Sequence, residues 1–154
     1  MSIVKLPSAA RRAVAGLTLV AACGAGVAAA AEAEVVMYKD PNCGCCAKWA
    51  EHLRDNGFKV RVVPSDDMGR IKSEAGVPRE LTSCHTAKVG RYIVEGHVPA
   101  ADVERLLAEQ PEVVGLAAPG MPMGSPGMDG PYPADRFDVI SYDAAGETQV
   151  FASH

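Results

Sequence analysis

The chain has 154 residues, 48% of them hydrophobic and 22% charged, and a formal net charge of −4. That length holds one domain around one core, and the composition is that of a folded domain rather than a disordered chain. The weak acidity leaves no clustered cationic footprint for phosphate, which excludes nucleic acid as a partner.

The first 31 residues read as an export signal. Lys5, Arg11 and Arg12 give a positive start, Ala13 to Ala22 is an apolar run, and the small residues from Gly24 to Ala31 offer cleavage sites. The run is rich in alanine and glycine, too weakly apolar for a transmembrane span, which needs about 20 strongly apolar residues. Val20-Ala21-Ala22-Cys23 fits a lipobox only loosely, with valine where leucine is usual, and a membrane enters the picture only if Cys23 is lipidated. The Arg11-Arg12 pair is a weak twin-arginine pattern, because Ala13, Val14 and Ala15 lack bulky apolar side chains. The organisation expected is a signal over residues 1–31 and one periplasmic domain over residues 32–154.

Glu34 to Lys39 carries a β-branched pair and is bounded by Asp40-Pro41-Asn42, so it reads as a buried strand ending in a turn. From Cys45 the period changes to that of a helix, with Ala47, Trp49, Ala50 and Leu53 on one side and a stop at Asn56-Gly57. Phe58 to Val63 alternates as a half-buried strand closed by Pro64, and Ser65 is the expected N-cap of a short helix running through Glu74. Leu81 to Val89 and Arg91 to Glu95 read as antiparallel strands around a turn at Gly90. Ala100 to Gln110 has Val103, Leu106 and Leu107 on one helical face and stops at Pro111. Ala117 to Pro133, dominated by Gly, Pro and Met, reads as a loop, and a hairpin of Phe137 to Tyr142 with Thr148 to Phe151 closes the chain.

Three of the five cysteines, Cys43, Cys45 and Cys46, lie within four residues. Cleavage near Ala31 removes Cys23 and leaves these with Cys84, an even number that in an exported protein normally means structural disulfides. The spacing argues otherwise, since links this short close very small loops and stabilise little. Cys43 and Cys46 form a C-x-x-C pair between a strand and a helix, the placement of the redox motif in thioredoxin-like folds. Unpaired N–H groups and the helix dipole favour a thiolate there. In thioredoxins a proline commonly stands where this chain has Cys45, so a stiff residue is replaced by a third soft donor. Clustered thiolates suit Cu(I) or Zn(II). Adjacent Cys45 and Cys46 are awkward ligands for one tetrahedral zinc ion, whereas sulfurs bridging several Cu(I) ions relieve the conflict, so copper is favoured.

In a thioredoxin-like sheet, Cys84 falls early in the strand beside the helix start, and the hairpin near Gly90 returns His97 to its side. The metal set expected is therefore Cys43, Cys45, Cys46, Cys84 and His97. His85 reads as a surface or hydrogen-bonded residue rather than a ligand, because successive strand residues face opposite sides unless the strand is bulged. Met121, Met123 and Met128 offer thioethers, either as ligands or as a cap over the site.

The chain resembles the CopG-like family of small periplasmic metal-binding proteins associated with copper-resistance loci. The resemblance runs through Tyr38-Lys39-Asp40-Pro41-Asn42-Cys43-Gly44-Cys45-Cys46, Ser83-Cys84-His85-Thr86, Glu95-Gly96-His97-Val98-Pro99 and the loop from Pro119 to Met128. It implies a thioredoxin-like α/β fold, copper bound at the C-x-C-C motif with Cys84 nearby, and copper redox conversion during copper stress. The fold expected is a mixed sheet flanked by helices, with a C-terminal Gly/Pro/Met loop and β-hairpin. Three functions compete: a Cu(I)-binding protein that cycles copper redox state, making it a copper oxidoreductase; a thiol-disulfide oxidoreductase in which Cys43 attacks and Cys46 resolves; and a non-enzymatic copper carrier docking with efflux or resistance proteins.

Overall fold

The computed structural model describes residues 33–154, so the expected export signal and Cys23 lie outside the described residues. Chain order is β1 (Glu34–Lys39), α1 (Gly44–Asp55), β2 (Lys59–Pro64), α2 (Met68–Glu74), a 3₁₀ turn (Arg79–Leu81), β3 (His85–Val89), β4 (Tyr92–Gly96), α3 (Ala100–Glu109), β5 (Gly115–Ala118), β6 (Asp138–Tyr142) and β7 (Thr148–Ser153). The strands form one mixed sheet of seven in the order β2-β1-β3-β4-β5-β6-β7. β1 runs parallel to β2 and antiparallel to β3, and β5 runs parallel to β4. This is the mixed α/β class expected, and nothing in the topology conflicts with a thioredoxin-like arrangement. No helix among the described residues is long and apolar enough to cross a membrane.

The register sorts the side chains onto two faces. Met37 lies opposite Ala87, and Ala87 opposite Val94, so these residues share one face with Val35 and Val89. Helix α1 buries Cys46, Trp49, Ala50 and Leu53, spaced i, i+3, i+4, i+7, and joins this face together with Val103 and Leu106 of α3. Full burial of Leu53 or Leu106 contributes about 1.5–3 kcal/mol each, and the Trp49 indole also donates to the Val98 carbonyl at 2.8 Å. The apolar stripe that fixes α1 therefore fixes the direction in which its cysteines point.

Thr86 and Glu95, opposite one another in β3 and β4, belong to the other face, where α2 lies. Glu95 and His97 are two residues apart and would share a face in a continued strand. Gly96, with φ 72°, breaks the strand and lets His97 turn toward α1.

Four local expectations are corrected. Cys84 lies in a bend before β3, not within the strand, because the chain from Arg79 to Leu81 forms a 3₁₀ turn first. The N-cap of α2 is Asp67, which accepts from the Arg70 amide at 3.1 Å, while Ser65 accepts from the Asp67 amide and delays the helix. β2 begins at Lys59 because the Phe58 amide is taken by the Leu53 carbonyl of the preceding helix. The loop expected from Ala117 begins later, because Gly115 to Ala118 form β5 between β4 and β6. Gly115 sits so close to the Ile93 backbone that any Cβ would collide with it.

Candidate metal centre

The β1–α1 turn is built from its own backbone. The Cys43 amide donates to Asp40 O at 3.1 Å, the Asn42 amide donates to the Asp40 carboxylate, and the buried Lys39 ammonium donates to the carbonyls of Asp40 and Pro41. Cys43 is thereby the N-cap of α1, with no side-chain cap among the described residues and no acidic residue in the first turn. Cys45 and Cys46 stand where the helix dipole and unpaired amides favour negative sulfur.

Cys43 and Cys46 are joined as a disulfide, with Cα atoms 5.5 Å apart. Among the described residues Cys45 and Cys84 are unbonded thiols, both half-buried. The four sulfurs lie within 4.8 Å of one another, which brings the C-x-C-C motif and Cys84 into one cluster. Cys84, His85 and His97 form a second group within the same limit, so Cys84 is common to both.

A carbonyl only accepts, so the contact of 2.7 Å between His97 Nδ1 and Pro126 O places the ring proton on Nδ1. His97 Nε2 is then the lone-pair nitrogen, and it receives the Cys84 S–H at 2.9 Å. Burial holds His97 below its ordinary pKa and keeps the ring neutral. Burial, followed by the nearby charge of Cys45, pushes the Cys84 thiol up to about 11. Without a metal the pair is a neutral thiol facing a neutral imidazole.

His85 is also at the cluster. Its Nδ1 lies 3.4 Å from Cys84 Sγ, its ring is 4.4 Å from Trp49 and 5.0 Å from His97, and its Nε2 has no hydrogen-bond partner among the described residues. Burial first, then the charges of His97 and Lys72, hold it well below its ordinary pKa. The bend at Cys84 is what suspends the strand alternation and brings two neighbouring side chains to one site.

The sequence left Glu95 without a role. It is fully buried, accepts from Lys72 Nζ at 2.5 Å and from the Ser83 amide at 2.6 Å, and takes the Thr86 hydroxyl at 2.7 Å. Burial raises its pKa, and Lys72 acts against that shift. By holding the Ser83 amide, Glu95 sets the backbone one residue ahead of Cys84. A carboxylate inside an apolar strand was the only sequence signal of this.

The Gly/Pro/Met loop packs against the helix start. A Cβ at Gly127 would lie 2.8 Å from Cys45 O and from the Trp49 amide nitrogen, and Ser83 Oγ donates to Gly120 O at the other end. Between them the Ser125 hydroxyl donates to Pro122 O at 2.7 Å and the Met128 amide to Ser125 O at 2.8 Å. Met121 is exposed, and Met123 and Met128 are half-buried.

Residues 81–128 match a family model described as a protein of unknown function, DUF411. No curated protein matches the chain. Two solved structures named copper resistance protein CopG are similar to it. Form 2 is 43% identical, with 79% of this chain and 98% of that chain covered and a TM-score of 0.76. Form 1 is 44% identical, with 79% and 96% covered and a TM-score of 0.75. Identity at this level, across nearly all of both solved chains, means that the chain belongs to the CopG family of copper resistance proteins.

Proposed function

We propose that this chain is a periplasmic copper-binding protein of copper resistance, which holds Cu(I) at Cys43, Cys45, Cys46, Cys84 and His97 and cycles copper between its oxidation states. The observation that carries the reading is the convergence of four sulfurs within 4.8 Å at a helix start. Soft thiolates prefer Cu(I), and a cluster this tight suits ions that share bridging sulfurs. Copper is here the cargo and the substrate. The Cys43–Cys46 dithiol gives up two electrons and two protons as its S–S bond forms, and each of two Cu(II) ions takes one electron to become Cu(I). Export to the periplasm is supported by the charged, apolar and small-residue pattern of residues 1–31.

Anaerobic Cu(I) titration of the reduced chain, with intact mass spectrometry of the exported product, tests this. The expected result is uptake of several Cu(I) per chain, weakened in Cys43→Ser, and a mass matching cleavage near Ala31. No uptake, with Cys43→Ser indistinguishable from the parent, would sink the reading. The disulfide at the helix start favours a second function, thiol-disulfide exchange with a protein partner. That alternative requires turnover of a disulfide substrate by a metal-free sample.

A further inference from the structure

The site contains two pairs of sulfurs, and only one of them is accounted for by C-x-x-C chemistry. With Cys43 bonded to Cys46, Cys45 and Cys84 remain as thiols, one from the first turn of α1 and one from the bend before β3. Cys45 has poor alternatives within its own segment: a bond to Cys46 would close a ring between adjacent residues, and a bond to Cys43 one only slightly larger. Cys84 comes from a different segment, the bend before β3, and its sulfur is within 4.8 Å. A disulfide needs its sulfurs at about 2.05 Å with a defined torsion, so the two sulfurs, now within 4.8 Å, must close further.

We propose that Cys45 and Cys84 form a second redox couple, so that the chain holds four electrons for copper rather than two. The proposal rests on the copper-cycling reading above. In the second step the Cys45 and Cys84 S–H bonds break, an S–S bond forms between them, and two electrons pass singly to two further Cu(II) ions, giving two Cu(I). Two protons are released. Both go to water, so that the step leaves no new charge on the site's side chains. The two pairs are nested, which lets one cluster of sulfurs act as copper ligands when reduced and as an electron store when Cu(II) arrives.

The test uses the full chain carrying Cys23→Ser, so that only the site thiols count, reduced and made metal-free under anaerobic conditions. Excess Cu(II) is added with the Cu(I)-selective chelator bathocuproine disulfonate, and the Cu(I) formed per chain is counted. The parent is expected to yield about four Cu(I), one per thiol oxidised, and about two in each double variant, Cys45→Ser/Cys84→Ser and Cys43→Ser/Cys46→Ser. Alkylation and disulfide mapping of the monomer should find Cys45 linked to Cys84. A metal-free arm, oxidation with diamide, should give the same linkage. A parent that stops at about two Cu(I), with Cys45 and Cys84 still alkylated, overturns the proposal and leaves copper cycling standing. A yield of about four reached through links between chains also overturns it. No Cu(I) at all removes the copper-cycling reading, and the proposal with it.

Discussion

At the candidate metal site, the Cys84–His97 pair itself carries no charge. Pro126 O occupies the one ring N–H, which leaves Nε2 as an acceptor for the thiol, and burial keeps both groups neutral. A soft cation displaces the thiol proton, so binding releases protons and tightens as pH rises. The backbone that presents Cys84 is held in turn by Glu95, whose carboxylate serves Lys72, Thr86 and the Ser83 amide at once. Glu95→Gln leaves the Lys72 ammonium, only 13% exposed, without its counter-charge. Breaking one side of such a pair costs about 3 kcal/mol, whereas removing both charges is often near neutral. Urea denaturation of the metal-free chain is expected to show that loss for Glu95→Gln and partial recovery in Glu95→Gln/Lys72→Met. Equal losses in the two variants would mean that the charge pair is not what Glu95 supplies.

At the level of elements, the Gly/Pro/Met loop is a part of the site rather than a linker. Gly127 has φ 86° and no room for a Cβ against Cys45 O and the Trp49 amide, while Gly120 has φ 71° with nothing among the described residues within 4 Å of a Cβ. Gly127→Ala therefore meets both backbone strain and a collision, and Gly120→Ala only the strain, on the order of 1–3 kcal/mol. The expected outcome is that Gly127→Ala lowers Cu(I) affinity in chelator competition by about tenfold, as loss of a ligand's outer-shell partner does, while Gly120→Ala changes it little. Equal affinities would separate the Pro126 contact from the function of His97. The loop's composition was legible, but its docking was not, because the close approach depends on the helix start to which it folds. β1 was legible from its β-branched pair and bounding turn, and α1 and α3 from period, since Val35, Trp49, Leu53, Val103 and Leu106 all end in the core. β5 was not: Gly115-Leu116-Ala117-Ala118 is short and small, and pairing on both sides makes it a strand. The approach of His85 to Cys84 was not legible, because strand alternation does not hold across a bend that only the tertiary fold reveals.

For the molecule as a whole, the buried imidazoles set how the metal-free chain responds to acid. His85, His97 and His52 all sit below their ordinary value of 6.5, each chiefly through burial. Below 6.5 the unfolded chain takes up protons that the native chain refuses, so the proton balance favours unfolding and stability falls as pH falls. A fully buried histidine contributes a slope of about 1.4 kcal/mol per pH unit while its unfolded form is protonated and its folded form is not, and a partly exposed one such as His52 contributes less. His85, fully buried and held furthest down, keeps that slope over the widest range. Glu95 works in the opposite direction: its raised pKa lets the native chain hold a proton above the ordinary 4.5, which offsets part of the loss only at the acid end. Thermal unfolding of the metal-free chain from pH 7.5 to pH 5 is expected to show a falling midpoint, and His85→Gln to show a shallower fall. An unchanged slope in His85→Gln would move the acid sensitivity to His97 and His52, and the corresponding single variants would then identify it.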